Sequence, residues 1–131
     1  MGTLASQITE GIKISVNTKF LNEQSSYENS YFLFSYRITI ENKSENTIKL
    51  LSRHWDIFDS NFEHREVDGE GVIGEQPVLA PNEIFEYESA CSLTTDMGKM
   101  KGFYTLLRLV DNTKLQVLIP EFELITLYRL N

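Results

Sequence analysis

The sequence predicts an all-β domain, an antiparallel sandwich or barrel of about seven or eight strands. Several runs alternate apolar and polar residues, turn-forming residues separate those runs, and no long stretch has the apolar spacing of an amphipathic helix. The chain has 131 residues, the usual size of one domain, without an internal repeat or interdomain linker. We therefore expect one domain with a single core.

The alternation is clearest between residues 32 and 41. Apolar side chains occupy the even positions, namely Phe32, Phe34, Tyr36, Ile38 and Ile40, and polar ones occupy the odd positions, namely Ser35, Arg37, Thr39 and Glu41. Such a strand buries one face and exposes the other. Shorter alternating runs cover residues 12–17 and 85–91, and the second of these gives Cys91 a core position.

Further strands are expected at Ile48–Phe58, Phe103–Leu109 and Leu115–Leu124. Pro120 predicts an edge or a bulge in the last of these, since proline cannot donate to a central ladder. Residues typical of loops and turns separate the strands, at Glu23–Ser30, Asn42–Asn46, Asp59–Asn61, Pro81–Glu83, Asp96–Gly98 and Asp111–Asn112.

The charge of the chain argues against several classes of partner. The net charge is −7 and the pI is about 4.8. Nucleic acids and anionic membranes are bound mainly by Lys and Arg, so neither is expected as a partner. No apolar stretch approaches the roughly 18 residues of a membrane span, and the N-terminus lacks signal-peptide features. The single cysteine excludes an intramolecular disulfide and favours a cytoplasmic location.

Residues 69–74, here called the glycine loop, match the dinucleotide-binding pattern G-x-G-x-x-G. That function requires a helix directly after the motif, because the phosphate binds at the helix N-terminus. Here Pro77 and Pro81 follow and leave no room for a helix. Acidic side chains at Asp68, Glu70 and Glu75 would also repel phosphate. We expect the glycines to provide positive φ or close backbone approach.

The stretch Arg53–Asp59 is dense in polar and aromatic residues, and His64 follows a few residues later. If a hairpin turns near Ser60–Asn61, His64 lies opposite Ile57 or Phe58, roughly 10–13 Å from His54. That is too far for both histidines to bind one metal ion. We expect a structural role, with Trp55 in the core and His54 hydrogen-bonded, and no metal or cofactor.

Catalytic signals are weak, and we expect no enzymatic activity. Cys91 has no neighbouring histidine in the sequence, and no G-x-S-x-G motif occurs. Residues 98–102 form the most basic short stretch, which we interpret as a solvated turn. Its lysines, with Arg53, form an alternative anion site. Apolar residues in or beside loops either pack beneath the loop or form a surface that binds a partner.

Taken together, these motifs resemble the ApaG family across residues 8–124. The resemblance rests on Arg53-His54-Trp55 with Ile57 and Asp59, on residues 67–74 with Pro77, on Pro81, Glu83, Phe85, Tyr87 and Ser89, on Leu93, Thr95, Gly98, Met100, Gly102 and Tyr104, and on residues 119–124. It departs at Asn82 and Asn61, where the family often has glycine; asparagine also tolerates left-handed backbone.

The resemblance implies an immunoglobulin- or fibronectin-III-like sandwich over residues 8–125, with tails at 1–7 and 126–131. It links the chain to cobalt and magnesium efflux and to the gene neighbourhood of a diadenosine tetraphosphatase. In eukaryotes the domain is attached to F-box and polymerase-interacting proteins, which suggests recruitment. The resemblance supplies no catalytic residues.

We therefore expect a non-enzymatic domain that binds a protein partner through loops at one end of the sandwich. The candidate residues are Arg53, Gly69, Gly71, Val72, Ile73, Gly74, Lys99, Met100 and Lys101. A homodimer through exposed edge strands is compatible with the same sequence. The alternative is a module for dinucleotide polyphosphate, pyrophosphate or a divalent cation, and its anion form requires Arg53, Lys99 and Lys101 to converge.

Overall fold

The computed structural model describes residues 4–126, which form nine strands and one short 3₁₀ turn. The elements are β1 Leu4–Thr9, β2 Ile12–Phe20, the 3₁₀ turn Asn22–Gln24, β3 Phe32–Asn42, β4 Ile48–Asp59, β5 His64–Glu70, β6 Val78–Leu79, β7 Ile84–Leu93, β8 Met97–Arg108 and β9 Thr113–Ile125. Within this part of the chain no helix is long and apolar enough to cross a membrane.

The strands form two antiparallel sheets that face each other. One sheet has the order β1-β2-β3-β7, and the other has the order β5-β4-β8-β9, with β6 paired to the start of β4. The chain changes sheet between β3 and β4, between β6 and β7, and between β7 and β8. The predicted all-β sandwich is confirmed, with nine strands instead of seven or eight.

The core lies between the sheets and follows the predicted alternation. Fully buried side chains include Ile14, Ile38 and Leu106, one from each of three strands. Burying such a side chain stabilises a fold by about 1.5–3 kcal/mol. The hydroxyl groups of Tyr87 and Tyr104 hydrogen-bond to each other inside the core, and burial raises the pKa of Tyr87. Among residues 4–126, no buried side-chain nitrogen or oxygen lacks a hydrogen-bond partner.

The expected N-terminal tail is partly wrong. Leu4–Thr9 forms β1, an edge strand in which Leu4 pairs with Asn17. Its side chains are only half-buried at best, so the sequence shows little apolar alternation there. Residues 1–3 of that tail lie outside the described residues. Of the expected C-terminal tail, Thr126 is buried and donates its N–H to Asp96 O over 3.1 Å, and residues 127–131 lie outside the described residues.

The turn predicted at residues 96–98 lies two residues earlier, at residues 94–96, and the turn predicted at residues 98–102 is wrong, because β8 begins at Met97. Glycine occurs here inside a strand because β4 approaches closely. A Cβ on Gly98 would lie 2.3 Å from Phe58 O, and one on Gly102 would lie 2.0 Å from His54 O. The predicted edge or bulge at Pro120 is confirmed, since β9 ends its sheet and its register with β8 shifts between Met100 and Gly102.

Candidate functional site

The glycine loop ends β5 and leads to β6, with no helix after it. Gly71 and Gly74 have φ of +59° and +80°, a region that side chains disfavour. A Cβ on Gly71 would lie only 2.0 Å from Glu75 O, whereas one on Gly74 would meet no atom within 4 Å. The prediction that these glycines provide positive φ or close backbone approach is confirmed, since Gly71 has both and Gly74 has the first.

Arg53 holds the glycine loop from the inner side of β4. Gly69 lies opposite Arg53, and a Cβ on this glycine would lie 2.6 Å from the guanidinium carbon. The absent side chain therefore leaves room for the guanidinium group. Arg53 Nη1 donates to Glu70 O over 3.1 Å and to Gly71 O over 2.8 Å. The Arg53 guanidinium group thus stabilises the backbone of the glycine loop.

Two further contacts fix the loop. The Gly71 N–H and the Gln76 side-chain amide both donate to Leu51 O, over 2.8 Å and 2.9 Å. Val72 is buried in the core. Next to it, Ile73 is 57% exposed and has φ of +43°. The loop is therefore a fixed structure that presents one apolar side chain to solvent.

The anion cluster that the alternative hypothesis requires does not assemble. Arg53 lies on the inner side of β4, with Trp55, whereas Lys99 and Lys101 lie opposite the outward residues Phe58 and Asp56. The two lysine Nζ atoms are 5.5 Å and 5.7 Å from the centroid of the Phe58 ring. The cations thus face opposite sides of the sheet.

The remaining candidate residues are also divided between different places. Met100 is buried in the core, so its side chain is not part of a surface. Lys101 pairs with Asp56, five positions along β4 from Leu51, where the glycine loop is attached. Five residues of a strand span roughly 16 Å. The loop and the lysines therefore do not share one end of the sandwich.

The outer side of β4 and β5 gathers a set of titratable side chains that we call the outer-face cluster. Pairing places His54 opposite Asp68, Asp56 opposite Glu66, and Phe58 opposite His64. These positions differ by two along each strand, so the side chains share one face. The cluster comprises His54, Asp56, His64, Glu66 and Asp68.

The two histidines bracket Asp56. His54 Nδ1 lies 2.6 Å from Asp68 Oδ1, and its Nε2 lies 3.3 Å from Asp56 Oδ2 and 3.5 Å from Glu66 Oε1. His64 Nε2 lies 2.9 Å from the other oxygen of Asp56, Oδ1. Both oxygens of Asp56 and both ring nitrogens of His54 thus face a partner of the opposite kind.

Aromatic rings hold both imidazoles in place. The His54 ring stacks on Phe103 with centroids 5.0 Å apart, and the His64 ring stacks on Phe58 with centroids 4.4 Å apart. The planes of the second pair differ by only 10°. Stacking on a sheet restricts the rotamers of the histidines, so their nitrogen atoms have defined directions.

The electrostatics of the cluster favour a cation between the carboxylates. The hydrogen bond to Asp68 raises the pKa of His54, and the charges of Asp68 and Asp56 add to this effect. The hydrogen bond from His64 lowers the pKa of Asp56, as does the nearby His54.

Sequence reasoning placed part of this cluster. The predictions that Trp55 lies in the core and that His54 is hydrogen-bonded are confirmed. Glu66 and Asp68 were missed, because β5 is an exposed strand without apolar alternation. The signal was present as His, Glu and Asp at positions 64, 66 and 68, a polar period of two.

Cys91 and Asp59 lie elsewhere and have structural partners. Burial raises the pKa of the Cys91 thiol, and Arg65 Nη2 lies 3.5 Å from its sulfur and 2.6 Å from Ser92 O. A buried thiol with a raised pKa is a poor nucleophile. The Asp59 carboxylate accepts hydrogen bonds from the backbone and hydroxyl groups of Thr94 and Thr95.

Comparison with known proteins identifies relatives over most of the chain. Residues 22–108 match the family model described as the ApaG domain. Protein ApaG of Brucella canis is 42% identical over 119 residues, covering 91% of this chain and 91% of the relative. Protein ApaG of Dechloromonas aromatica is 47% identical over 113 residues, covering 86% and 88%.

Solved structures agree with this relationship. The crystal structure of the putative ApaA protein from Bordetella pertussis is 37% identical, with a TM-score of 0.86 over 88% of this chain and 94% of that chain. A second X-ray structure, of a structural genomics target, is 39% identical with a TM-score of 0.84, over 89% and 88%. The motifs, the fold and these relatives together lead to one conclusion: the chain belongs to the ApaG domain family.

Proposed function

We propose that this chain is a non-enzymatic binding domain that recognises a protein partner through the glycine loop and the adjacent strand β5. The observation that carries the proposal is Ile73, a β-branched residue at φ of +43° that is 57% exposed. Left-handed backbone costs a non-glycine residue about 1–2 kcal/mol. Strain of this kind is concentrated at functional sites, and an exposed isoleucine offers a partner apolar area.

The loop around Ile73 supports this role because it is ordered in advance. Arg53 and Gln76 hold its backbone, and the buried Val72 anchors it to the core. A loop that is already fixed loses less conformational entropy when a partner binds.

Strand β5 extends the surface. Among residues 4–126 it pairs only with β4, and most of its side chains are exposed. Phe62, at the hairpin tip before it, is 99% exposed. An extended segment of a partner can add to such an edge, with apolar anchors at Phe62 and Ile73. Since Glu66, Asp68 and Glu70 line this edge, we propose a basic partner segment.

A recruiting role agrees with what the family resemblance implies. The links to cobalt and magnesium efflux and to the diadenosine tetraphosphatase gene neighbourhood place the family in pathways. A domain without catalytic activity acts in a pathway by contacting another protein. A cytoplasmic location belongs to the same proposal, supported by the single, buried cysteine.

The test compares Ile73→Asp with Ile84→Asp as a matched control. Ile84 is 55% exposed but lies on β7 in the other sheet. Proteins captured from the source cells by the wild-type chain are purified and their affinities are measured by calorimetry. We expect Ile73→Asp to lower the affinity for the specific partner at least tenfold, as expected when an interface anchor is removed. Ile84→Asp is expected to change that affinity less than twofold. Equal affinities for wild type and Ile73→Asp would refute the surface.

The non-enzymatic part has its own measurement. The purified chain is incubated with diadenosine tetraphosphate and divalent metal ions, and the products are separated chromatographically. We expect no turnover above that of the Asp56→Asn variant. Turnover by the wild type that the variant loses would make the chain a hydrolase and overturn this part of the proposal.

A further inference from the structure

The outer-face cluster has the donor atoms and the spacing of a metal site. His54, Asp56 and Glu66 each offer one ligand atom, one nitrogen and two oxygens, and these three atoms all lie within 4.8 Å of one another. His54 Nε2 is 3.3 Å from Asp56 Oδ2 and 3.5 Å from Glu66 Oε1. Around a tetrahedral ion with bonds of about 2.1 Å, neighbouring donors are about 3.4 Å apart. Two of the three distances already have that value.

Two further residues direct the donors towards one point. Asp68 Oδ1, 2.6 Å from His54 Nδ1, accepts the proton of that nitrogen and leaves Nε2 facing the carboxylates. This arrangement of carboxylate and histidine is the usual support of a metal-binding imidazole. His64 donates from Nε2 to Asp56 Oδ1 over 2.9 Å, so the other oxygen, Oδ2, points to His54.

The position of the cluster allows an ion to enter. The side chains of His54 and Asp56 are 17% and 21% exposed, so the sheet holds them firmly. Glu66, on the edge strand, is 59% exposed and leaves one side open to solvent. The three carboxylates of the cluster carry more negative charge than the nearby Lys99 and Lys101 carry positive charge. The ammonium groups of these lysines lie over the Phe58 ring.

We propose that His54, Asp56 and Glu66 bind a divalent first-row transition ion of the zinc type, with Asp68 and His64 as positioning residues. A donor set of one imidazole and two carboxylates favours such an ion over Mg²⁺, which requires six oxygen ligands. Binding requires His54 Nε2 without a proton, as for any metal-binding imidazole. Only one histidine is a ligand, so the separation of His54 from His64 is no obstacle.

The experiment uses the full-length ¹⁵N-labelled chain titrated with Zn²⁺ alone. Calorimetry measures the affinity, and the imidazole ¹⁵N resonances identify the ligand atom. We expect one saturable site that moves the His54 Nε2 resonance more than those of His64. His54→Gln and Glu66→Gln each lower the affinity at least tenfold, and Asp68→Asn lowers it 10–100-fold. The matched control Glu86→Gln, an exposed carboxylate on the other sheet, leaves it unchanged.

Several results would overturn the site. These are an absence of saturation up to millimolar Zn²⁺, equal affinity in His54→Gln and wild type, and displacement of Zn²⁺ by an equal concentration of Mg²⁺. Because Glu66 is exposed on an edge strand, Glu66→Gln is expected to keep its fold. We expect the thermal unfolding temperature of this variant without metal to equal that of the wild type. That measurement distinguishes a loss of metal binding from a loss of structure.

Discussion

The glycine loop and the outer-face cluster are both built on β4 and β5, yet they are held together in different ways. In the glycine loop, Arg53 and Gln76 bind backbone carbonyl groups, and glycines fit where a side chain would collide. In the outer-face cluster, the strand register brings titratable side chains together on the outer face of the sheet. The glycine loop therefore presents a fixed backbone conformation, whereas the outer-face cluster presents titratable side chains.

This difference shows how a sequence motif can point to the wrong kind of site. The glycine spacing at residues 69–74 matches a phosphate-binding pattern, but no helix follows and its arginine serves the backbone. The cluster matches no motif, because its members come from two strands whose pairing must be known first. Motif letters are informative only with the secondary structure that they require.

The largest effect is expected inside the glycine loop itself. Gly71→Ala is expected to lower the free energy of unfolding by about 3–5 kcal/mol, because left-handed backbone and overpacking both oppose a Cβ. Gly74→Ala is expected to lower the free energy of unfolding by only about 1–2 kcal/mol, the cost of the left-handed backbone, because no atom would contact the added Cβ. Urea denaturation of both variants measures the difference. Equal losses would mean that the contact with Glu75 O does not decide the conformation.

A second effect concerns Asp59, at the end of β4 away from the glycine loop. Burial raises the pKa of Asp59, but the hydrogen bonds from Thr94 and Thr95 outweigh it, so the pKa is lowered overall. The carboxylate therefore stabilises the fold above its unfolded pKa of about 3.9, and this contribution is lost as pH falls through the lower folded value.

Asp59→Asn tests that anchor, which unlike the outer-face cluster is purely structural. We expect a loss of about 2–3 kcal/mol in the free energy of unfolding at pH 7. The loss shrinks as pH falls below about 4, where Asp59 of the unfolded chain begins to take up a proton, and disappears below the lower pKa of the folded state. Thermal unfolding from pH 2 to pH 7 measures both, with Glu86→Gln as the control that keeps the wild-type profile. A loss independent of pH would contradict the role of the charge.

The smallest effect has the opposite sign. Ile73→Asn is expected to raise the free energy of unfolding by about 1 kcal/mol, because asparagine tolerates left-handed backbone. The same change removes the exposed apolar side chain from the loop and weakens partner binding. Urea denaturation measures the stability. A destabilised variant would mean that Ile73 contributes packing and is not strained.

The sequence was most informative where one face of a strand is buried. Alternation from Phe32 to Glu41 located β3 closely, because its even positions pack in the core. It failed for β1 and β5, which are edge strands with exposed side chains. It also failed at Gly98, where glycine indicated a turn although the strand needs it for close approach to β4.

The outer-face cluster was only half predictable for a related reason. His54 and Asp56 lie two apart in a predicted strand, so their common face follows from the sequence. The positions of His64, Glu66 and Asp68 depend on the register of the hairpin, and a shift of one residue would reverse their face. Tertiary pairing, which local patterns do not contain, decides that register.

The central claim is that the outer-face cluster binds a metal ion, whereas the glycine loop is a fixed structure that binds no phosphate. Amide NMR spectra of the ¹⁵N-labelled chain test both parts when Zn²⁺, pyrophosphate and diadenosine tetraphosphate are added in separate titrations. We expect saturable shifts around His54, Asp56 and Glu66 with Zn²⁺, and unchanged amides at residues 69–74 with either phosphate compound. Saturable phosphate-induced shifts in the glycine loop, with no response of His54 to Zn²⁺, would contradict the claim.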